Sequence, residues 1–472
     1  MATHRVRARR RFQMAMACLL GLAVLTGCKS LPRVVPDQTR RPPPVQLEGA
    51  QGPLSAERSK AILDRLRSSG QGTDVLSRHL ALEEAIVGSP LTAGNQVVLL
   101  QDGPATYRAM LAAIEGAKDH IHMETYILDD DEVGQRFAQA LIDKQRQGVQ
   151  VNLIHDSFGT LATPREFFQR LTEAGVRVLE FNPVNPAMAR QEWELNERDH
   201  RKLLIVDGRT AFLGGINISG VYSSGSFASG SRSRKPDATT GDTTPWRDTH
   251  LQLQGPVVAE LQKLFLETWV AQKGEPLAAR NHFPPPERVG KDVVRAIGSS
   301  PKDPYSLIYA TLLSAIGSAE TSVHLTNAYF APDPQLLAAL EDAARRGVDV
   351  KLILPGKTDS WLVFHAGRNY YGQLLRAGVK IYERQGVILH AKTGLIDGVW
   401  ATVGSTNLDW RSFLHNHELN AVVLGPDFAA QLRAVFESDL AGSTEVSLAQ
   451  WERRGLDLRI KELFARAWEY WL

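Results

Sequence analysis

The strongest constraint on this chain is that it repeats itself. Ala113-Ile114, Ile121-His122 and Gly148-Val149-Gln150-Val151 recur as Ala315-Ile316, Val323-His324 and Gly347-Val348-Asp349-Val350. Further on, His200-Arg201-Lys202-Leu203-Leu204-Ile205-Val206-Asp207-Gly208 recurs as His390-Ala391-Lys392-Thr393-Gly394-Leu395-Ile396-Asp397-Gly398. Phe212-Leu213-Gly214-Gly215-Ile216-Asn217 returns as Thr402-Val403-Gly404-Ser405-Thr406-Asn407, and Asp248 before Gly255-Pro256 returns as Glu418 before Gly425-Pro426. Periodicity gives each copy a helix, a strand, a second helix and a second strand, which is an α/β layered unit made twice. The halves are expected at 76–285 and 286–445, with Asn281-His282-Phe283-Pro284-Pro285-Pro286-Glu287 as the boundary. A Ser/Gly-rich insertion from Ser219 to Thr244 reads as a surface loop of the first half.

The remaining segments flank this pair. Residues 1–28 read as an export signal: Arg5, Arg7, Arg9, Arg10 and Arg11, then an apolar run from Met14 to Leu25, then Leu25-Thr26-Gly27-Cys28. The run is too short for a spanning helix, which needs about 20 residues. The ending resembles a bacterial lipobox, which implies acylation of Cys28 and a membrane-anchored chain in the bacterial cell envelope, facing the periplasm. Lys29 after the cysteine favours the outer membrane. Residues 29–75 read as a proline-rich tether and short helix, with Pro32, Pro36, Pro42, Pro43, Pro44 and Pro53 excluding helix early on. Residues 446–472 read as an amphipathic, aromatic tail that could rest on a lipid interface or on the body.

Composition narrows the chemistry. The only cysteines are Cys18 and Cys28, so neither a disulfide framework nor a cysteine metal site can be built in the body. The formal charge is +2, and removal of the signal with its five arginines and no acids makes it −3. A mildly acidic mature chain does not suit a general polyanion binder, so nucleic acid is a poor partner.

The chemistry sits in the second repeated block. His200 and Lys202 are two apart in an apolar run, as are His390 and Lys392, so a strand points each pair to one face. An imidazole beside an ammonium is an anion site with a nucleophile in it. Asp207 and Asp397 fall on the opposite face and precede glycine, an Asp-Gly hairpin signal, so they read as turn and orientation residues. Asp248 and Glu418 are better partners for the imidazoles, fixing the tautomer and stabilising imidazolium. The glycines in Gly214-Gly215 and Gly404-Ser405 allow close backbone approach of a phosphate, and Asn217 and Asn407 can donate to its oxygens. His122, His155 and His324, in apolar strands, read as core residues. No metal or cofactor is expected at the site.

Two H-x-K-x4-D runs in register, each followed by G-[GS]-x-N and a further acid, resemble the duplicated signature of the phospholipase D superfamily. The wording around His200, Ala328-Tyr329-Phe330-Ala331-Pro332-Asp333 and Ser405-Thr406-Asn407-Leu408-Asp409-Trp410-Arg411-Ser412 is similar to bacterial cardiolipin synthases in particular. The resemblance implies two similar α/β halves, with mixed central sheets flanked by helices, packed about a pseudo-twofold axis around one site. It implies a catalytic set of His200, Lys202, Asp207, His390, Lys392 and Asp397, with His200 forming a phosphohistidine and His390 as acid and base. The implied reaction is phosphatidyl transfer from a donor phospholipid to phosphatidylglycerol, with the donor left open and phosphatidylglycerol and phosphatidylethanolamine as the membrane lipids in view. Hydrolysis of phospholipids, a nuclease activity and an inactive envelope scaffold are the alternatives, and the oligomeric state stays open.

Overall fold

The computed structural model describes residues 31, 45–68, 74–76, 78–185, 194, 196–223 and 244–471. The signal segment with Cys28, most of the proline-rich tether and the loop carrying Arg232, Arg234 and Lys235 lie outside the described residues. The chain divides into two units, Met1–Arg33 and Val34–Leu472, and both α/β halves belong to the second.

The first half opens on a short strand β1 (Leu47–Gly49), taken from the proline-rich stretch, which pairs in parallel with β2 (Leu91–Gln101). Then come α1 (Asp102–Gly116), β3 (His120–Thr125), α2 (Glu132–Arg146), β4 (Gln150–Asp156), α3 (Arg165–Glu173) and β5 (Arg177–Phe181). A short β6 (Arg198–Asp199) leads to the hairpin β7 (Leu203–Val206) and β8 (Thr210–Gly214). Finally β9 (Trp246–Arg247), β10 (Thr249–Gln254) and α4 (Val257–Ala271) close the unit.

The second half repeats this order. It runs β11 (Asp292–Ser299), α5 (Leu307–Gly317), β12 (Ser322–Asn327), α6 (Pro334–Arg345), β13 (Asp349–Pro355), α7 (Trp361–Arg368), α8 (Tyr371–Ala377) and β14 (Lys380–Arg384). It ends with β15 (Ile388–Leu389), β16 (Lys392–Ile396), β17 (Trp400–Gly404), β18 (Asn416–Leu424) and α9 (Pro426–Ala441), followed by a terminal helix α10 (Leu456–Arg466).

Hydrogen bonding gives the first half the strand order β5-β4-β3-β7-β8-β10-β2 and the second half β14-β13-β12-β16-β17-β18-β11. The three outer strands of each half are parallel and the rest antiparallel, so each sheet is mixed as expected. The two sheets are not separate, however: β2 pairs antiparallel with β11, and one sheet runs through both halves. A shared apolar core follows from that seam, in which Leu203, Leu213, Leu251 and Phe265 of one half cluster with Leu395, Val403, Leu419 and Val423 of the other.

Local chemistry repeats with the topology. Asp131 caps α2 by accepting from the amides of Val133 and Gly134, and Asp333 caps α6 by accepting from Gln335 and Leu336. Strands β3 and β4 are buried along their whole length because helices cover both faces. Each β7–β8 and β16–β17 hairpin turns on an Asp-Gly pair with both residues left-handed: Asp207 (φ 53°) and Gly208 (φ 61°), Asp397 (φ 51°) and Gly398 (φ 64°). That is the backbone a type I′ turn requires.

The aspartates of the repeated motif therefore stand away from the histidines. Asp207 accepts from the amides of Lys118 (2.9 Å), Asp119 (2.8 Å) and His120 (3.0 Å), tying the turn to the start of β3. Asp397 does the same for Glu320 (3.0 Å), Thr321 (2.8 Å) and Ser322 (2.9 Å) at the start of β12. Among the described residues no helix is long and apolar enough to cross a membrane.

Replacing Asp207 with Ala removes a charged acceptor from three amides and puts a β-carbon without a hydrogen-bonding group in a left-handed turn. The expected loss is about 3 kcal/mol, as for a deleted charged acceptor, read as an earlier urea midpoint. An unchanged midpoint would show the turn to be dispensable.

Candidate active site

The two halves meet through matching short strands. β6 runs parallel to the start of β18, and β9 runs parallel to β15. The backbone amide of His200 donates to the carbonyl of His417 at 3.0 Å, and that of His390 donates to the carbonyl of Arg247 at 2.8 Å. His417 immediately precedes Glu418, and Arg247 immediately precedes Asp248. Each histidine is thus registered against the acid of the opposite half.

The side chains complete the exchange. His200 Nδ1 lies 3.1 Å from Glu418 Oε1, and His390 Nδ1 lies 2.7 Å from Asp248 Oδ2. Both pairs are buried. The sequence pointed to these four residues but left the pairing open, and the pairing crosses the interface. With Nδ1 engaged, Nε2 is the nitrogen left to react on each ring. His200 and Lys202, and likewise His390, lie in the short links between strands rather than inside one regular strand.

The lysines sit against their own histidines. Lys202 Nζ donates to the carbonyl of His200 at 2.5 Å and lies 5.1 Å over the ring of Tyr126. Lys392 Nζ contacts His390 Nδ1 at 3.0 Å and donates to the His390 carbonyl. Burial pushes Lys202 down to about 7 against the pull of Glu418, and Lys392 down to about 8 against that of Asp248. Burial and Lys202 push His200 down to about 4, while burial and Lys392 lower His390. Lys392 also lowers His200, and Lys202 also lowers His390, so the four groups share one electrostatic neighbourhood. Burial raises Asp248 to about 6. Burial also pushes Glu418 up, but His200, Lys202 and Ser405 outweigh it and leave it lowered and ionised.

The small residues after the hairpins have a spatial reason. A β-carbon on Gly215 would come within 2.2 Å of Asp248 Oδ1. In the second half Ser405 takes that place, and its hydroxyl donates to Glu418 Oε2. Asn217 faces Tyr222, donating to its hydroxyl at 3.2 Å and accepting from the amide of Ile127 at 3.2 Å. Asn407 keeps a buried side-chain oxygen with no partner. Asp409 caps the short helix Trp410–Leu414 by accepting from Ser412, and Asn416 donates to Glu418 at 3.2 Å.

Several site residues were not legible. Tyr222 belongs to the stretch read as a surface loop, yet residues 219–223 fold onto the body and its ring is buried. Its hydroxyl lies 3.2 Å from His390 Nδ1. An apolar Val221-Tyr222 inside a polar run was the only signal. Trp246 stands 5.1 Å from the ring of His390, and Tyr126 stands 5.1 Å from that of His200. Arg247 is fully buried and binds both carboxylate oxygens of Asp439 at 2.9 Å, which anchors β9 beside Asp248. Neither partner of that ion pair lies in a repeated motif.

A duplicated α/β unit that brings two imidazole–ammonium pairs together across a pseudo-twofold seam defines a phospholipase D-like protein. The family model for "Cardiolipin synthase, PLD-like domain" matches residues 110–225 and 312–440, one match in each half. A cardiolipin synthase of Geobacillus kaustophilus (strain HTA426) is 35% identical over 390 residues, covering 82% of this chain and 74% of its own. Cardiolipin synthase 1 of Bacillus anthracis is 35% identical over 387 residues, 80% of this chain and 73% of its own. The crystal structure of phosphatidylserine synthase from Haemophilus influenzae Rd KW20 superposes with a TM-score of 0.59 at 13% identity, over 84% of this chain and all of that one, a likeness of fold. The chain belongs to the phospholipase D-like cardiolipin synthase family.

The lysines should make this an anion site that weakens with alkali. Sulfate stays a dianion through the neutral range, so its affinity reports the protein alone. It should fall as pH rises through about 7 to about 8, where Lys202 and Lys392 lose their protons. A flat affinity across that window would mean the lysines do not hold the anion.

Proposed function

We propose that this chain is a cardiolipin synthase that transfers a phosphatidyl group through a phosphohistidine. The observation that carries the proposal is the reciprocal pairing of His200 with Glu418 and His390 with Asp248. In the first step His200 Nε2 attacks the phosphorus of a donor, phosphatidylglycerol or phosphatidylethanolamine. A phosphorus–nitrogen bond forms as the phosphorus–oxygen bond to the headgroup breaks, and His390 gives its proton to the departing alkoxide. In the second step His390 takes the proton from a hydroxyl of phosphatidylglycerol. That oxygen attacks phosphorus and the phosphorus–nitrogen bond breaks. Lys202 and Lys392 balance the charge on the phosphate oxygens throughout.

The two carboxylates differ in a way that supports this assignment. Glu418 is ionised and suits a ring that becomes cationic on phosphorylation. Asp248, raised to about 6, suits a ring that trades a proton each half-cycle. Hydrolysis would use the same residues with water as acceptor, so acceptor choice is the property to measure.

The chain is placed at a lipid surface by its carboxyl-terminal helix and, at the other end, by acylation of Cys28. Helix α10 turns Glu462 and Ala465 inward, where Glu462 binds Arg454 at 2.9 Å. Leu456, Ile460, Leu463 and Phe464 face outward with Trp468 just beyond, and each is at least half exposed. At helical spacing these five form one apolar stripe on the solvent side, the reverse of a helix built to pack. An acyl group on Cys28 would hold the chain on the periplasmic side, at the outer membrane if Lys29 sorts it there.

Purified protein given mixed phosphatidylglycerol and phosphatidylethanolamine vesicles should produce cardiolipin, and phosphatidic acid as sole product would overturn the transferase reading. His200→Ala and His390→Ala should each lower the rate by at least about 1,000-fold. On an alkyl phosphodiester with a nitrophenolate leaving group, which needs no acid, His390→Ala should accumulate the alkylphosphoryl group on His200, detectable by mass spectrometry. The same adduct on His390 in the His200→Ala protein would reverse the roles. Burying two aromatic rings is worth about 3 kcal/mol, so Phe464→Ser with Trp468→Ser should weaken vesicle binding about 100-fold and leave the unfolding midpoint in place.

A further inference from the structure

Three histidines come together at the end of β3 remote from the catalytic pairs. His120 and His122 alternate on β3 and share a face. His282 arrives from the segment between the halves. The three rings contact one another pairwise, with centroids 4.8, 4.8 and 5.1 Å apart, and one ring nitrogen from each lies within 4.8 Å of the others. His120 Nε2, His122 Nε2 and His282 Nδ1 are buried without a hydrogen-bond partner. Leaving one buried nitrogen unsatisfied costs about 1–3 kcal/mol, and here each of three rings in mutual contact carries one.

The surroundings prepare these rings as ligands. Asp119 Oδ2 lies 2.8 Å from His120 Nδ1, and a carboxylate there leaves Nε2 as the lone pair. The side-chain nitrogen of Gln262 lies 2.6 Å from His122 Nδ1, and the oxygen of that amide has no hydrogen-bond partner. Turned over, that amide accepts from Nδ1–H and frees Nε2 of His122 in the same way. His122 is clamped by stacking on Phe265 of α4 at 4.3 Å. Asp119 also accepts from the amide of Asn281 at 3.2 Å and faces Arg280 at 3.7 Å, so one carboxylate orients His120 and seats the loop bearing His282.

The fold does not require this trio. In the second copy Ser322 stands where His120 does, and His324 lies 3.3 Å from Asp349 instead. We propose that His120, His122 and His282 bind a divalent transition ion of the zinc class, which ties β3 and α4 to the segment leading into the second half. Imidazole nitrogens suit zinc, at about 2.0–2.1 Å each with a fourth position left for water. Drawing the rings together asks most of His282, the half-buried member on a loop. Four to six residues of strand at about 3.3 Å each put His122 and His120 roughly 13–20 Å along the chain from Tyr126, whose ring contacts that of His200, so the ion is structural.

The test uses the full chain without a histidine tag, its thiols alkylated, titrated with Co²⁺ and followed by visible absorption, then with Zn²⁺ and followed by thermal unfolding. One ion per chain and a raised unfolding temperature are expected. His282→Ala and His282→Gln, each with an unchanged circular dichroism spectrum, should weaken binding more than about 100-fold, beyond the 10–100-fold that an outer partner is worth. Asp119→Asn should weaken it by about 10–100-fold, while His200→Ala with His390→Ala should bind like the parent. Absence of saturable binding, or titration of both His282 variants like the parent, would overturn the proposal.

Discussion

The structure turns on an exchange. Each half supplies a histidine, and the other half supplies the carboxylate that holds it. Neither half owns a complete imidazole–carboxylate pair, so the site exists only when the halves are locked in register. The antiparallel seam between β2 and β11, and the parallel contacts of β6 with β18 and of β9 with β15, supply that lock through backbone hydrogen bonds. The amides of the two histidines are part of the same ladders. Register is strict in a buried sheet, since a slip of one residue would turn every side chain to the wrong face.

This arrangement buries charge that must be balanced internally. Lys202, Lys392, Asp248 and Glu418 are all withdrawn from water, and removing one partner would leave another uncompensated. The lowered lysines and raised Asp248 express that desolvation. In the reaction proposed above, the negative charge of a phosphodiester would favour the ammonium forms of both lysines and offset part of that cost.

The repeat made the architecture legible. Two copies of an apolar, alternating pattern with matched helix starts fix an α/β unit, and the two H-x-K blocks with their later acids fix which residues meet. Asp207 and Asp397 were legible as turns because odd spacing and a following glycine each argue against the histidine face. The sequence did not reveal which acid serves which histidine, because within-copy and cross-copy pairings are equally compatible with a repeat. Joining of the sheets was hidden for a similar reason: β2 and β11 read as strands but carry no mark of their neighbour. Tyr222, Arg247 and Asp439 escaped because none has a counterpart in the other copy.

The crossed pairing also speaks to ancestry. A single unit of this kind, made alone, could assemble a working centre only by associating with an identical twin, each lending the other its acid. Fusion of two such units into one polypeptide makes that partnership permanent and removes the obligation to be identical. Gly215 beside Asp248 and Ser405 beside Glu418 record the freedom so gained: one ring faces a carboxyl group poised near neutrality, the other a fixed anion. Covalent linkage of the halves is what would let two such histidines hold the separate roles proposed for them.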